Sequence, residues 1–333
     1  MNSPNARGKL LEWTQEQASR FGLIAQSTHH RVHELPWWDD ASLIKLLDEQ
    51  PRTQLRIFQS GIDPLFRRRD HLPVDTSGAN GAEILEAVKR GKLWVNMQRI
   101  DRAQPRFDQL GRTLYTELEE GAPHFRPVWI NRAFLFVSSP DAMVYLHADY
   151  QPNILWHLRG NKRIWIYPAY DPRICSLDRI EEICVGGEDD IDFKHEFDLH
   201  GQAFDIGPGE TVSWPARAPH RVINGSSLNV SLSTFHETME DYERVLEHRS
   251  DYMLRTQYPA ARSLMRLVGA PGKRLAYRAI ERAGWVKRRP VKEYWATLRI
   301  DPEAPTGVRE IPGGPVLTEH SMLVKREMQR RAA

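Results

Sequence analysis

Cysteine is nearly absent: Cys175 and Cys184 are the only two in 333 residues. A disulfide framework is thereby excluded. Two thiols with no secretory context point to a reduced, cytoplasmic setting. Met1–Trp13 is polar and lacks the apolar stretch of a secretory leader. No apolar run approaches the roughly 18 residues of a transmembrane helix, so no membrane span is expected. Charge of one sign is not in excess. Lys and Arg total 46 against 44 Asp and Glu, a formal net charge of +2, which gives no bias toward nucleic acid. Gly and Pro number 21 and 22, too few for a collagenous or low-complexity chain, and no internal repeat is present. What remains is an ordinary globular composition, 41% hydrophobic and 27% charged, in a chain long enough to build a large core without staples.

Residues 1–38 are polar and irregular, with His29, His30, His33 and the pair Trp37-Trp38. Asp39-Asp40 then precede a short capped helix over Ala41–Asp48. The pattern predicts strands at Thr53–Gln59 and Lys92–Met97, and helices at Ala82–Arg90 and Arg106–Glu119. From Arg126 the texture changes. Short apolar or alternating runs follow at Val128–Ile130, Ala133–Val137, Met143–Leu146, Ile154–His157, Arg163–Tyr167, Thr211–Trp214, Arg221–Ile223 and Leu228–Phe235. Turn signals such as Arg159-Gly160-Asn161 and Gly207-Pro208-Gly209 separate them. This density of short strands predicts an antiparallel sandwich or barrel. Glu237 to about Gly284 turns helical, and a Pro-rich tail wanders to the end. The expected organisation is an α/β cap at 1–124, a β core at 125–238 and a helical C-terminal region with the tail at 239–333.

On a strand, His147 and Asp149 of Met143–Asp149 point to the same face. Apolar neighbours place that face inside, where an unpaired carboxylate is costly. A metal ion meets the need of both. Farther on, Gly209–His220 reads as turn, strand, Pro-bounded loop and a His entering the next strand. His147, Asp149 and His220 together make a facial set of two imidazoles and one carboxylate, which suits non-haem Fe(II) and leaves three positions open. A Gly-Asn turn places Lys162 at the start of an apolar strand. An ammonium aimed into such a barrel needs an anion, and the far carboxylate of 2-oxoglutarate fits.

The elements His147-Ala-Asp149-Tyr-Gln151-Pro-Asn153, Gly160-Asn-Lys162-Arg163, Gly209-Glu210 and Pro219-His220 resemble, in order and spacing, the JmjC/cupin-like Fe(II)- and 2-oxoglutarate-dependent oxygenases. The resemblance covers about residues 125–238. It is strongest to the JmjC hydroxylase branch, which includes the asparaginyl hydroxylase acting on hypoxia-inducible factor. It implies a mostly β chain with flanking helices: a double-stranded β-helix (jelly-roll) core, a mixed α/β N-terminal cap and a helical C-terminal region. It implies that His147, Asp149 and His220 hold iron, and that Lys162 pairs with the C5 carboxylate of 2-oxoglutarate. Asn153 would lie beside the cosubstrate, and Gln151 where the branch contacts substrate. The family often has Ser or Thr three residues before the first ligand; here that position is Val144. Tyr145, Ser231 or Ser233 would then supply the hydroxyl, and Trp214 would pack near the site. The implied activity is a dioxygenase that consumes O2 and 2-oxoglutarate and hydroxylates a peptide side chain or a small metabolite.

Two other readings compete: a cupin-like binding or regulatory protein without turnover, and a metal cupin enzyme that does not use 2-oxoglutarate. Lys162 discriminates, because neither needs a buried cation beside the metal. Lysine demethylation begins as hydroxylation of an N-methyl carbon and is the less favoured variant of the first reading. Residues 178–198 carry nine acids against Arg179 and Lys194, read as a solvated loop or as a lip for a basic substrate. Residues 262–292 carry ten bases against Glu281, read as a solvated helix face or as a surface for an anionic partner. No nucleic-acid recognition motif accompanies them. Tyr242, Val245, Leu246, Leu264, Leu267 and Val268 have helical apolar spacing, from which a homodimer through the C-terminal helices is expected.

Overall fold

In this computed structural model the described residues are 8–61, 63, 65, 67, 70–261, 269–286 and 291–332, without the side chains of 130–132 and 331–332. The N-terminal third supplies strands β1 (Leu11–Glu12), β2 (Gln26–His30), β3 (Leu55–Gln59), β4 (Leu72–Asp75) and β5 (Leu93–Met97). Among them lie helices α1 (Gln15–Arg20), α2 (Asp40–Glu49), α3 (Gly81–Arg90), α4 (Ile100–Ala103) and α5 (Pro105–Gly121). The helix starts are where the sequence puts them. Asp39 caps α2 through the Ser42 amide at 2.7 Å, Asn80 and Glu83 form a capping box on α3, and Pro105 opens α5.

The middle third is eight strands: β6 (Pro127–Ser138), β7 (Met143–His147), β8 (Asn153–Arg159), β9 (Lys162–Ile166), β10 (Gln202–Ile206), β11 (Glu210–Trp214), β12 (His220–Asn224) and β13 (Asn229–Thr238). They divide between two antiparallel sheets. One runs β11-β8-β13-β6 and the other β10-β9-β12-β7. The chain crosses from sheet to sheet at almost every turn, so successive strands face one another across an interior. This is the double-stranded β-helix, a jelly roll of the cupin/JmjC type. Leu155, Ile164, Ile166, Val212 and Trp214 fill its closed end.

The larger sheet continues past both edges of the jelly roll, in the order β1-β2-β11-β8-β13-β6-β5-β3-β4 followed by two C-terminal strands. β2 was not expected in the polar lead. It pairs with β11, Thr28 opposite Thr211. Its inward residues are polar yet satisfied: Gln26 donates to the Gln17 carbonyl and His30 to the Glu210 carbonyl. The C-terminal tail does not wander. It forms β14 (Trp295–Ala296), β15 (Leu298–Ile300), β16 (Val308–Glu310) and β17 (Val316–Leu317) before a last helix, Glu319–Ala332. β15 runs parallel to β4 of the N-terminal cap, and Ala296, Ile300 and Val308 are buried there.

The acidic stretch is not a solvated loop. It holds helix α6 (Leu177–Cys184), whose Ile180, Ile183 and Cys184 are buried on the outer face of the smaller sheet with Phe193 and Phe197. Cys175 and Cys184 are free and buried there. Helix α7 (Met239–Thr256) follows β13. Its expected dimer-facing residues Val245 and Leu246 are buried within the chain. The helix Gly269–Arg282 lies on it, with Lys273 pairing Asp251 and Arg274 pairing Glu243 and Glu247. The basic segment is thus partly neutralised inside the chain. Its Arg262, Arg266, Lys287, Arg288 and Arg289, with Leu264, Leu267 and Val268, lie outside the described residues.

Candidate metal and cosubstrate site

β7 and β12 are neighbours in the smaller sheet, and their register sets His147 directly opposite His220. The two imidazole centroids are 4.1 Å apart. Nδ1 of His147 lies 2.9 Å from the Tyr145 carbonyl, and Nδ1 of His220 lies 3.0 Å from the Ala218 carbonyl. A carbonyl oxygen only accepts, so both Nδ1 atoms carry the hydrogen and both Nε2 lone pairs remain for a ligand. Asp149 follows β7, and its Oδ2 is 3.6 Å from Nε2 of His220. Ligand-capable atoms of the three residues all lie within 4.8 Å of one another, and among the described residues this is the one such group.

Outer partners hold the set. Asn153 donates to Asp149 Oδ2 at 3.3 Å, and Ser233 donates to Asn153 Oδ1 at 2.7 Å. Burial, with His147 alongside, holds the His220 pKa well below the ordinary imidazole value. Burial also raises the Asp149 carboxyl above the usual range, Asp189 adding to the rise and His147 opposing it. Two imidazoles that turn Nε2 toward the cavity and one carboxylate, with no Lys or Arg paired to it among the described residues, are a donor set for a divalent metal, open on the cavity side. The residues present fit Fe(II).

Lys162 opens β9, level with Asn224 of β12 and Ile206 of β10. Gly160 makes the preceding turn at φ 83°, where a Cβ would meet the Leu228 carbonyl oxygen at 2.5 Å. Asn224 stands four positions from His220 along β12, about 13 Å at strand rise. That span suits a lysine stem plus a five-carbon dicarboxylate. Lys162 is 7% exposed and makes no ion pair among the described residues. Burial draws its pKa down to about 7. The neighbouring cations face elsewhere: Arg163 pairs with Asp205, while Arg221 pairs with Asp198 and lies 3.5 Å over the Trp165 ring.

A cavity of about 430 Å³ joins these parts, lined by His147, Asp149, His220, Asn153, Lys162, Trp214 and Tyr145 among others. The Trp214 ring is 4.6 Å from that of His220. The other residues expected at the site lie as follows. Ser231 is fully buried and bonded to His157 Nδ1 at 2.9 Å; it shares a face of β13 with Ser233 but is not among the cavity-lining residues. Ser233 donates to Asn153 Oδ1. Gln151 is buried and is not among the cavity-lining residues. Tyr145 lines the cavity, but its hydroxyl donates to Asp189 Oδ1 at 3.0 Å.

Residues missed at the Lys162 end are Asn224 and Ser138, joined by a 2.8 Å hydrogen bond. Asn224 reads in sequence as half of an Asn-Gly turn, which hid it. At the other end the cavity gains Phe58, Trp94 and Tyr294 from distant segments. Arg56 and Lys292 also line it and gather around the Tyr294 ring, at 5.1 and 5.8 Å. Two further buried histidines serve the frame: His157 bridges Ser231 and the Gly160 carbonyl, and His30 bonds the Glu210 carbonyl.

Fold and site define a double-stranded β-helix with a facial two-histidine, one-carboxylate donor set. No family model matches the chain, and no curated protein matches it. Similar solved structures include Escherichia coli YcfD, at 12% identity and TM-score 0.44, covering 97% of this chain and 68% of that one. A second YcfD structure, titled a ribosomal oxygenase in complex with cobalt and 2-oxoglutarate, matches at 12% identity and TM-score 0.43, covering 92% of this chain and 63% of that one. An oxalate decarboxylase matches at 18% identity and TM-score 0.23, over 36% of this chain and 24% of that one. The fold assignment rests on the strand order itself. No helix among the described residues is long and apolar enough to cross a membrane.

Proposed function

We propose that the protein is an Fe(II)- and 2-oxoglutarate-dependent oxygenase that hydroxylates a peptide side chain or a small metabolite, with 125–238 as its catalytic core and 1–124 and 239–333 as flanking regions. The observation that carries this reading is a buried lysine, without an ion-pair partner among the described residues, in the same cavity as the His147–Asp149–His220 set. Bound there with 2-oxoglutarate and O2, Fe(II) supplies redox chemistry that couples loss of CO2 from 2-oxoglutarate, leaving succinate, to oxidation of a substrate C–H bond.

The chain's own residues then have defined work. His147 and His220 present Nε2, each held by a hydrogen bond at Nδ1. Asn153 and Ser233 orient Asp149. Lys162 supplies a compact point charge for the far carboxylate of the cosubstrate, beside the polar Asn224–Ser138 pair. Leu155, Trp214 and Phe136 exclude water from that end. The motif order shared with the JmjC hydroxylase branch supports hydroxylation as the reaction. The test is an anaerobic titration of the Fe(II)-loaded protein with 2-oxoglutarate. A weak visible charge-transfer band that saturates is the expected result, absent from His147→Ala. Iron binding with no band and no calorimetric heat for 2-oxoglutarate would overturn the reading.

A further inference from the structure

The larger sheet runs on past the jelly roll from β6 to β5 and β3, and the cavity runs on with it. β5 alternates cleanly. Leu93, Val95 and Met97 are buried in the apolar core, so Trp94, Asn96 and Gln98 share the other face, and all three line the cavity. The strand register sets Asn96 between Arg56 of β3 and Phe136 of β6.

Asn96 is 8% exposed, and its Oδ1 is buried without a hydrogen-bond partner. Neither neighbour supplies one. The Arg56 guanidinium donates to His320 Nε2 at 3.1 Å and to the Tyr294 hydroxyl at 3.3 Å, and the Phe136 side chain has no polar atom. A buried amide oxygen left unpaired costs stability, so an apolar residue would serve the frame better here. The surroundings are aromatic. The Trp94 ring lies 5.4 Å from that of Phe136 and 5.9 Å from that of Phe58, and Phe58 meets Tyr294 edge-on at 5.6 Å.

An Asn carboxamide offers an acceptor and two donors in one plane. It turns about a broad terminal torsion, which brings either side to the cavity. The group that satisfies it is flat and neutral and carries donor and acceptor together. An amide is such a group, and the rings beside Asn96 take the apolar part attached to it. We propose that Asn96 is a substrate-selecting residue, taking an amide group of the substrate against this aromatic wall. Its part in an oxygenase site rests on the proposed function; the amide preference does not.

The test is calorimetry on the Zn(II)-loaded full chain with two matched pairs of probes. Benzamide is compared with methyl benzoate, and N-acetyl-phenylalanine methylamide with the corresponding methyl ester. Each ester keeps the carbonyl and loses an N–H donor, which leaves the buried oxygen unpaired. The expected result is at least about tenfold tighter binding of the amide in one pair, about 1.4 kcal/mol. The pair that shows it separates a free carboxamide from a peptide. Asn96→Leu abolishes the preference, leaves 2-oxoglutarate binding unchanged and melts no lower than the parent, because it removes an orphaned polar atom. Asn96→Ala serves for the binding arms if the first variant does not fold. A preference that survives the substitution overturns the proposal, and so do equal binding within both pairs and no binding of either amide at millimolar concentration. A folded Asn96→Leu that melts below the parent would assign the amide to the frame, and one that loses 2-oxoglutarate would assign it to the cosubstrate; either result overturns the proposal. An amide preference that depends on Asn96 in a protein that does not bind 2-oxoglutarate would sink the oxygenase reading and leave Asn96 standing.

Discussion

The backbone amide of Arg217 donates to the carbonyl of Asp149 at 2.9 Å, and it does so from a left-handed backbone conformation, φ 66°. A side chain with a Cβ adopts that region only when its surroundings enforce it. The enforcement is visible. The guanidinium is buried, donates to the Tyr150 carbonyl at 3.2 Å, pairs with Asp241 at 3.4 Å and lies 5.6 Å over the Tyr170 ring. The loop between β11 and β12 is thereby clamped to Asp149, the carboxylate of the candidate metal set. Arg217→Ala removes the clamp and leaves the ligands. The expected outcome is a roughly 10- to 100-fold loss of metal affinity, the usual effect of an outer-shell partner, measured by chelator competition on protein shown to be folded. A purely structural role would lower the melting temperature and leave the affinity of the folded protein unchanged.

The ligand set itself gives a sharper test. His147→Ala and His220→Ala each remove one of three donors from facing positions on β7 and β12. Neither side chain belongs to the apolar core of the jelly roll. Metal content after loading and gel filtration should fall to background in both while the circular dichroism stays native. Full occupancy in either variant refutes the site. Asp149→Ala should keep weak binding, because water or chloride can fill its position.

The β core and the grouping of His147, Asp149 and His220 were legible because the strand and turn signals that position them are local. Strand alternation places His147 and its neighbours on one face, and the Gly160-Asn161 turn fixes the start of β9. β2 was illegible because its buried face is Gln26, Thr28 and His30, polar residues whose partners lie far along the chain. The C-terminal strands were hidden for a related reason: Leu298 pairs with Val74, more than two hundred residues away. Asp189 was counted only as one of nine acids. Its entry into the cavity depends on a backbone bridge to β7, Asp190 opposite His147, that no periodicity announces.

Gly160 is the residue on which the position of Lys162 depends. Its φ is 83°, and a Cβ would meet the Leu228 carbonyl oxygen at 2.5 Å and the Asn229 side chain at 2.9 Å. Those atoms precede and begin β13, whose pairing with β8 passes beside the turn. Gly160→Ala should therefore cost about 1–3 kcal/mol of stability, the scale of an enforced left-handed residue, read by chemical denaturation. It should also weaken 2-oxoglutarate binding without changing iron binding. Unchanged stability would show that the turn relaxes freely.

Lys162 carries the last prediction, in two parts. If its ammonium holds the far carboxylate of 2-oxoglutarate, Lys162→Ala leaves a buried anion unpaired, a loss of about 2–5 kcal/mol, or roughly 30- to 5000-fold in affinity. Lys162→Arg should also impair binding, because the planar fork is larger than the ammonium. The second part concerns the protein without cosubstrate. Burial lowers the Lys162 pKa from 10.5 to about 7. Between those values the unfolded chain binds a proton that the folded chain does not, so this group makes stability rise with pH across that window. Below pH 7 the folded protein carries a buried charge and the full penalty applies. Lys162→Met removes the penalty. The variant should be more stable than the parent at pH 7, by up to a few kcal/mol, with the difference shrinking as pH rises toward 10. Saturating 2-oxoglutarate should reverse the order at pH 7, because the anion returns the proton to the lysine and stabilises only the parent. Denaturation curves for both proteins at pH 7 and 10, with and without 2-oxoglutarate, check this. A parent as stable as Lys162→Met at pH 7, together with unchanged 2-oxoglutarate affinity, would place the ammonium in solvent and remove it from the site.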